Sequence, residues 1–361
     1  MRVGARSLPS AAPRRLAAGR AAPGEATRSF LLTFVAVVLV AAFLSPMLRS
    51  VSVALKSPEQ VTQPGSPIYP ASPATYSYQG RAYDVYKVPL DGGVRDLALV
   101  RKGRSESEFV DPAHPEAGRI KWKGAWRTLE PAWQFSPTWS NFTEVWDLID
   151  YPRLLFNTIA LALLSTIGTV ISCTLVAYGF ARFRFPGRGL LFTLVIATIF
   201  LPAAVTLIPT YTIFVKLGWV GTWLPLIVPA FFANAYDVFL LRQYFLTIPR
   251  ELDEAAAIDG AGPFRTLISV IVPQAWPVII AVTIFHIVYS WNDFFAPLIY
   301  LSARPDLQPL AVGLSRFQGI HYTNPGLVQA ATLMTLVIPV VLFLIFQRVF
   351  MRGVVITGVE K

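Results

Sequence analysis

Trp291, Asn292 and Asp293 follow one another inside a long apolar run, His286 lies shortly before them, and Asn157 stands in another such run. Amides and ions are costly in hydrocarbon, so residues of this kind face a bundle interior, a partner or water. Two chemistries compete for them. Asn and Asp bind hydroxyl groups and an aromatic ring stacks on an apolar ring face, so Asn157, Trp291, Asn292 and Asp293 are candidates for contact with a hydroxylated molecule. The same groups serve packing when they cap or hydrogen-bond a neighbouring helix. His286 and Asp293 could act as acid–base groups, but no second histidine or carboxylate stands at matched depth to complete a catalytic set. Asp237, close after Asn234, has Arg242 near enough to pair with. His114, His286 and His321 lack the spacing of a helical zinc pair, and the single cysteine, Cys173, excludes an intramolecular disulfide and a Cys-rich metal site.

Hydropathy sets the elements that position these residues. The 361-residue chain is 54% hydrophobic and 14% charged, with a mean hydropathy of +0.52. It is too apolar for a water-soluble globule and too long for one span, so it reads as a polytopic membrane protein. A span needs about 20 apolar residues. No Asp, Glu, Lys or Arg occurs between Arg153 and Arg182, between Arg188 and Lys216, or between Arg316 and Arg348. Asp237 is the one such residue between Lys216 and Arg242, and Asp293 the one between Arg265 and Arg304. The expectation is an all-α polytopic fold with six transmembrane helices, roughly 30–53, 154–179, 190–215, 223–242, 274–300 and 327–350. Pro202 and Pro209 interrupt the third, as is tolerated where a helix flexes or lines a cavity.

Loop charge orients the bundle. Fifteen Lys and Arg fall in the short segments on one side, 1–29 included, against Lys216, Arg304 and Arg316 on the other, so both termini are expected in the cytoplasm. The net charge of +10 is absorbed by that asymmetry and by a lipid-membrane partner; no basic helix with interleaved aromatics suggests nucleic acid. Residues 1–29, rich in Ala, Arg, Pro and Gly, read as a disordered cytoplasmic tail before the first helix at 30–53. A cleaved signal peptide is the competing account of Phe30 to Leu48. Residues 54–150 gather acids, Tyr, Trp and Gly. The alternation in "ATYSYQGRAYDVYKVPLDGG", ending at Asp91-Gly92-Gly93, predicts a β-hairpin within a small β-rich extracytoplasmic insertion, a spacer or docking surface rather than a catalytic unit.

The segment 249–273 departs from the apolar pattern on the cytoplasmic side. Pro249 suits a helix's first turn, and Glu251, Asp253 and Glu254 place negative charge at the positive end of its dipole. Ala255, Ala256 and Ala257 keep the helix slender, Gly260 can end it in the left-handed conformation, and Pro263 opens a second short helix carrying Phe264, Leu267 and Ile268. Pro273 then marks the way into the next span. A slim, acid-edged helix of this kind fits a cleft in another protein, or forms an ordinary interfacial hairpin.

Glu254-Ala255-Ala256, three residues, Gly260, nine residues and Val270-Ile271-Val272-Pro273 resemble the EAA loop of permease subunits in binding-protein-dependent ABC importers. Val270 and Val272 are aliphatic swaps for the usual Ile and Leu. The likeness spans most of 150–361 and narrows to the carbohydrate branch, the MalG-like half of maltose-type permeases, through "NTIALALLSTIGTVISCTLVAYGFARFRFPGRG", "LRQYFLTIPRELDEAAAIDGAG", "WNDFFAPL" and "QRVFMRGVVITGVEK". It implies that 151–361 is the permease core and that Glu254, Ala255, Ala256, Gly260 and Pro273 belong to the loop that couples to an ATPase. The implied partners are two cytoplasmic ATPase subunits, a second homologous permease and an extracytoplasmic solute-binding protein, in a bacterial-type inner membrane. The implied activity is carbohydrate import, or the same role for a polyol, a glycerol phosphate or an amino acid. The tail Val354–Lys361 is expected to reach toward the ATPases and the loop Ser302–Pro325, with Gly313 and Gly319, toward the binding protein. No G-x-x-x-x-G-K-[ST] phosphate loop occurs, so the chain is expected to hold no cofactor itself and to leave ATP and Mg to the partner ATPase.

Overall fold

The computed structural model of the chain describes residues 23–90, 92–320 and 324–355. His321, Asp91 and the tail from 356 onward lie outside these residues. The chain forms two compact units, 1–49 and 50–361. The first is built on helix α1 (Pro23–Ala54), whose apolar side chains point outward, Phe43 being 86% exposed, as suits a helix solvated by lipid. The helix starts earlier than the expected 30: proline is favoured in a first turn, and residues 23–29 are helical rather than tail. Residues 1–22 of that expected tail are outside the described set.

The second unit begins with the last turn of α1 and a short helix α2 (Pro58–Thr62), capped by Ser57, whose hydroxyl accepts from the Gln60 amide. Strands β1 (Ala71–Pro73), β2 (Thr75–Tyr78), β3 (Arg81–Leu90), β4 (Gly93–Arg101), β5 (Glu106–Val110), β6 (Arg119–Lys123), β7 (Glu130–Pro131) and β8 (Trp133–Phe135) follow. The main sheet runs β2-β3-β4-β5-β6 with β7 also on β3, and β1 pairs with β8, all antiparallel. Two hairpins form where the sequence suggested one. Leu90 faces Gly93 across the expected turn, and Tyr78 faces Arg81 across Gln79–Gly80, both at positive φ (51° and 76°), as a two-residue turn matched to strand twist requires. Val88, Leu97, Leu99 and Phe109 fill the sheet's buried face, with Trp122 and Trp126 closing over it.

Helix α3 (Ser140–Leu148) leads into α4 (Tyr151–Arg182), the bundle's central column. Then come α5 (Arg188–Ala197), α6 (Ala203–Lys216), α7 (Leu224–Ile227), α8 (Ala235–Thr247), α9 (Glu251–Ile258), α10 (Pro263–Thr266), α11 (Val272–Gln274), α12 (Trp276–Asn292), α13 (Phe295–Tyr300), α14 (Leu310–Ile320) and α15 (Pro325–Val355). Among the described residues, four stretches are long and apolar enough to cross a membrane: Arg28–Ala54, Tyr151–Arg182, Leu224–Thr247 and Pro325–Gln347. Two bent pairs, Arg188–Phe200 with Ala204–Lys216 and Pro263–Gln274 with Trp276–Asn292, raise the number to six if each counts as one span. The third span, expected over 190–215 with interruptions at Pro202 and Pro209, is broken at Pro202 while Pro209 lies inside α6, and the fifth, expected over 274–300, is broken too. The third breaks before α6, where Pro202 stands in extended conformation, because proline cannot supply the helical amide. The fifth turns through 83° at Ala275 and stops again at Asp293. Pro273 lies within α11, ahead of that bend.

The fourth span, expected unbroken over 223–242, is interrupted as well. After α7 the chain winds into a 3-10 turn, Val228–Phe232, and Ala233 takes φ +60° before α8 begins. The broken backbone is satisfied by α4: Ser172 Oγ donates to the Ala230 carbonyl (3.0 Å) and accepts from the Ala233 amide (3.1 Å), while the Asn234 amide donates to Cys173 Sγ (3.4 Å). Irregular backbone at membrane depth persists only with such partners. Around this contact α4 and α8 share a core with Ala177, Ala181, Leu241, Phe245, Ile271 and Val282. A second core joins Leu154 and Tyr151 of α4 to Phe317 of α14 and Ala330 of α15. Within the expected loop 302–325, Leu310–Ile320 form helix α14, with Leu310 and Phe317 buried.

Candidate functional site

The short helix α9 carries Glu251, Asp253 and Glu254 in its first turn with no side-chain cap on its amides, so the acids complement the positive end of its dipole. Ala256 is buried and Asp253 half-buried; Glu254, Ala255, Ala257 and Gly260 are exposed, and so are Ile258 (87%) and Phe264 (65%). Its end is a hydrogen-bonded cap. The Ala261 amide donates to the Ala256 carbonyl (2.8 Å) and the Gly260 amide to the Ala257 carbonyl (3.0 Å), with Gly260 at φ +75°. These are the two bonds of a Schellman motif, and the left-handed residue at its corner favours glycine. This turn of chain from α9 to α10, a wedge, is strapped to the end of α4: Arg182 Nε lies 3.2 Å from Asp253 Oδ2, Arg182 also donates to the Ile248 carbonyl (3.0 Å), and the Tyr178 hydroxyl donates to the Pro263 carbonyl (3.2 Å). A hollow of 330 Å³ sits behind it, lined by Tyr178, Arg182, Arg250, Glu254 and Thr266 among others.

Further along α4 lies a cavity of 590 Å³. Thr158, Leu161, Ser165 and Thr169 of α4 face it, a spacing that keeps them on one side of a 3.6-residue helix. The broken fourth span contributes Pro229, Asn234, Tyr236 and Asp237; α12 contributes Phe285, His286, Tyr289 and Ser290, and Asp293 follows at its end. Asn234 caps α8 by accepting from the Asp237 amide (2.9 Å), and its Nδ2 donates to Asp237 Oδ2 (2.6 Å). Thr169 Oγ1 and His286 Nε2 are 3.4 Å apart, as are Ser165 and Ser290 hydroxyls. Asp293 accepts from the Ala296 amide (3.3 Å). The cavity thus offers hydroxyls, two carboxylates and exposed aromatic faces, Tyr289 being 69% exposed.

Residues 171–355 match the family described as binding-protein-dependent transport system inner membrane component. The chain belongs to that family. It is therefore a permease subunit of the ABC-transporter type and a multi-pass cell-membrane protein, and the match contains the wedge and most of the cavity's walls. The permease is 29% identical over 279 residues to the osmoprotective compounds uptake permease protein GgtD of Synechocystis sp., a match covering 76% of this chain and 93% of that one. It is 34% identical over 213 residues to the sn-glycerol-3-phosphate transport system permease protein UgpE of Agrobacterium fabrum, covering 58% and 74%. In fold it is similar to a chain from the crystal structure of a bacterial ABC transporter involved in the import of the acidic polysaccharide alginate, with a TM-score of 0.63 at 19% identity over 91% of this chain and 99% of that one.

In the permease, the residues singled out from sequence go to different places. Glu254, Ala255, Ala256 and Gly260 lie together on the wedge, and Pro273 sits beyond it on α11. Of Asn157, Trp291, Asn292 and Asp293, only Asp293 lines the cavity. Asn157 is buried, its amide donating to the carbonyls of Asp306 and Gln308 (both 2.9 Å). Trp291 is closed into the core with Leu154 and Ala330, and Asn292 donates back to the Val288 carbonyl (2.8 Å). Asp237 does not pair with Arg242: Asn234 takes Asp237, while Arg242 donates to the Phe180 carbonyl (3.3 Å) and lies 4.0 Å over the Phe192 ring. Sequence reading passed over Ser165, Thr169, Tyr236 and Tyr289. Asn234-x-x-Asp237 carried a usable signal, since a side-chain acceptor followed three residues later by an acid marks a helix start.

Proposed function

We propose that the permease forms half of the translocation path of an ATP-driven importer for a carbohydrate, with the wedge on the cytoplasmic side seated in a partner ATPase. A second, homologous permease completes the path, two ATPase subunits bind ATP and Mg, and an extracytoplasmic binding protein delivers the solute. The observation that carries this reading is α4. One unbroken helix holds the wedge through Arg182 and Tyr178 and presents Thr158, Ser165 and Thr169 to the cavity. From Thr169 to Arg182 a helix rising about 1.5 Å per residue reaches roughly 20 Å, so a push on the wedge tilts the cavity wall. The chain itself makes and breaks no covalent bond in this scheme; it favours one access state over another.

The cavity's hydroxyls and exposed rings suit a sugar, whose hydroxyls hydrogen-bond and whose ring faces stack. A glycerol phosphate permease and an osmoprotectant permease stand among the relatives, so a non-sugar solute is the second reading. Uptake of a panel of labelled solutes by cells with and without this chain separates the two. Accumulation of at least one sugar, dependent on this chain and on ATP, is expected; accumulation of an amino acid or phosphate ester alone would remove the carbohydrate assignment.

A further inference from the structure

The two carboxylates of the cavity come from different elements. Asp237 projects from the first turn of α8, and Asp293 stands at the end of α12. Among the described residues lining the cavity there is no Lys or Arg. A phosphate or carboxylate taken from water into such a site needs a cation or a fork of donors to replace its hydration. This lining answers an anion with two carboxylates instead, and the one basic side chain among them, His286, already has its Nε2 3.4 Å from Thr169 Oγ1. Carboxylates are acceptors only and suit the O–H groups of a solute. Phe285 and Tyr289, one helical turn apart on α12, offer ring faces to its C–H surface.

We infer that this cavity discriminates by charge: it passes an uncharged polyhydroxylated solute and turns away anionic ones, with Asp237 and Asp293 as the discriminating residues. The inference rests on the transport reading above and narrows it. It also separates this chain from the glycerol phosphate permeases among its relatives, which by their name handle an anion.

The test uses the complete importer, with its ATPase, second permease and binding protein, in proteoliposomes. ATP-dependent uptake is measured for sucrose, maltose, trehalose and sorbitol, and for glucuronate, glucose 1-phosphate and sn-glycerol 3-phosphate. At least one neutral solute is expected to accumulate, with every anion at least tenfold slower. Asp293→Asn keeps an acceptor for the Ala296 amide while removing charge, and is expected to raise the anion-to-neutral uptake ratio at least threefold. Asp237→Asn should do the same; should loss of its bond to Asn234 prevent assembly, Asp293→Asn carries the test alone. An anion taken up as fast as any neutral solute, or an unchanged ratio in an assembled Asp293→Asn importer, overturns the charge inference and leaves the transport reading standing. No ATP-dependent uptake of any solute, charged or not, overturns the transport reading and this inference with it.

Discussion

The wedge and the cavity both place acids in an apolar chain, and they do so in opposite ways. On α9, Glu251 and Glu254 point outward from an exposed helix start, while Asp253 turns back to Arg182. In the cavity, Asp237 is almost wholly buried and held by Asn234, and the surrounding polar groups arrive from three separate parts of the chain. A surface that meets a partner protein needs slender backbone and exposed charge. A surface that meets a solute inside a membrane needs polar groups brought together at depth, each paired until the solute comes. The first can be built from one short stretch, the second only by packing helices.

Breaking the wedge should have the largest effect. Gly260→Pro forbids the φ of +75° and deletes the amide that donates to Ala257, a local cost of about 3 kcal/mol. Solute-stimulated ATP hydrolysis by the assembled importer is expected to fall at least tenfold with the chain still inserted in the membrane; undiminished stimulation would refute the coupling role. Cutting the link between wedge and cavity comes next. Arg182→Ala leaves Asp253 without its partner 3.2 Å away, and with one of the two side chains partly exposed the loss is set at about 1–3 kcal/mol. Transport is expected to drop more than ATP hydrolysis, and the swap of Arg182→Asp with Asp253→Arg should recover part of the difference.

Asn157→Leu sharpens the contrast from the cavity side. It removes two hydrogen bonds to the carbonyls of Asp306 and Gln308, worth about 1–2 kcal/mol together in a membrane protein. Lower thermal stability with normal transport per folded molecule is expected; a transport defect at unchanged stability would return Asn157 to the path. The smallest effect belongs to the sheet, which touches neither site. A hydrogen bond from Arg119 (2.9 Å), aided by the charges of Arg119 and Arg101, holds Glu108 below its ordinary 4.5. A depressed carboxyl value adds stability that is present above the ordinary value and lost as pH falls through the lowered one. Under acid, hydrogen exchange in β5 and β6 should therefore quicken at a higher pH in Arg119→Ala than in the wild type, with transport at neutral pH unaltered.

The same contrast explains what could be read in advance. The wedge was legible because its signals are local: acids in the first turn, an alanine run, and a glycine at the spacing where the chain must turn left-handed, although Pro249 precedes the N-cap Arg250 instead of standing in the first turn. The spans were legible as apolar runs and the break at Pro202 by its proline, but the break at Ala233 was not. Ala233 bears no mark of a positive φ, and the partners that permit it, Ser172 and Cys173, lie some sixty residues earlier. The cavity was missed for the same reason. Thr158, Ser165 and Thr169 look like ordinary small polar residues of a packed helix until α8 and α12 are set against them. Trp291 and Asn157 drew attention by their type, yet packing decided their use. In the sheet, Gln79–Gly80 was hidden because glutamine seldom takes a left-handed turn.

The most direct test of the wedge as the coupling element is a crosslink. Cys173 is the chain's single cysteine and is buried, so Ile258→Cys in a Cys173→Ala background puts one reactive thiol on the exposed end of α9. With a short bifunctional thiol-to-amine reagent on the assembled importer in native membranes, a covalent adduct between this chain and the ATPase subunit is expected, its yield changing when ATP is added. Modification of the thiol with no ATPase adduct under any nucleotide condition would contradict the account.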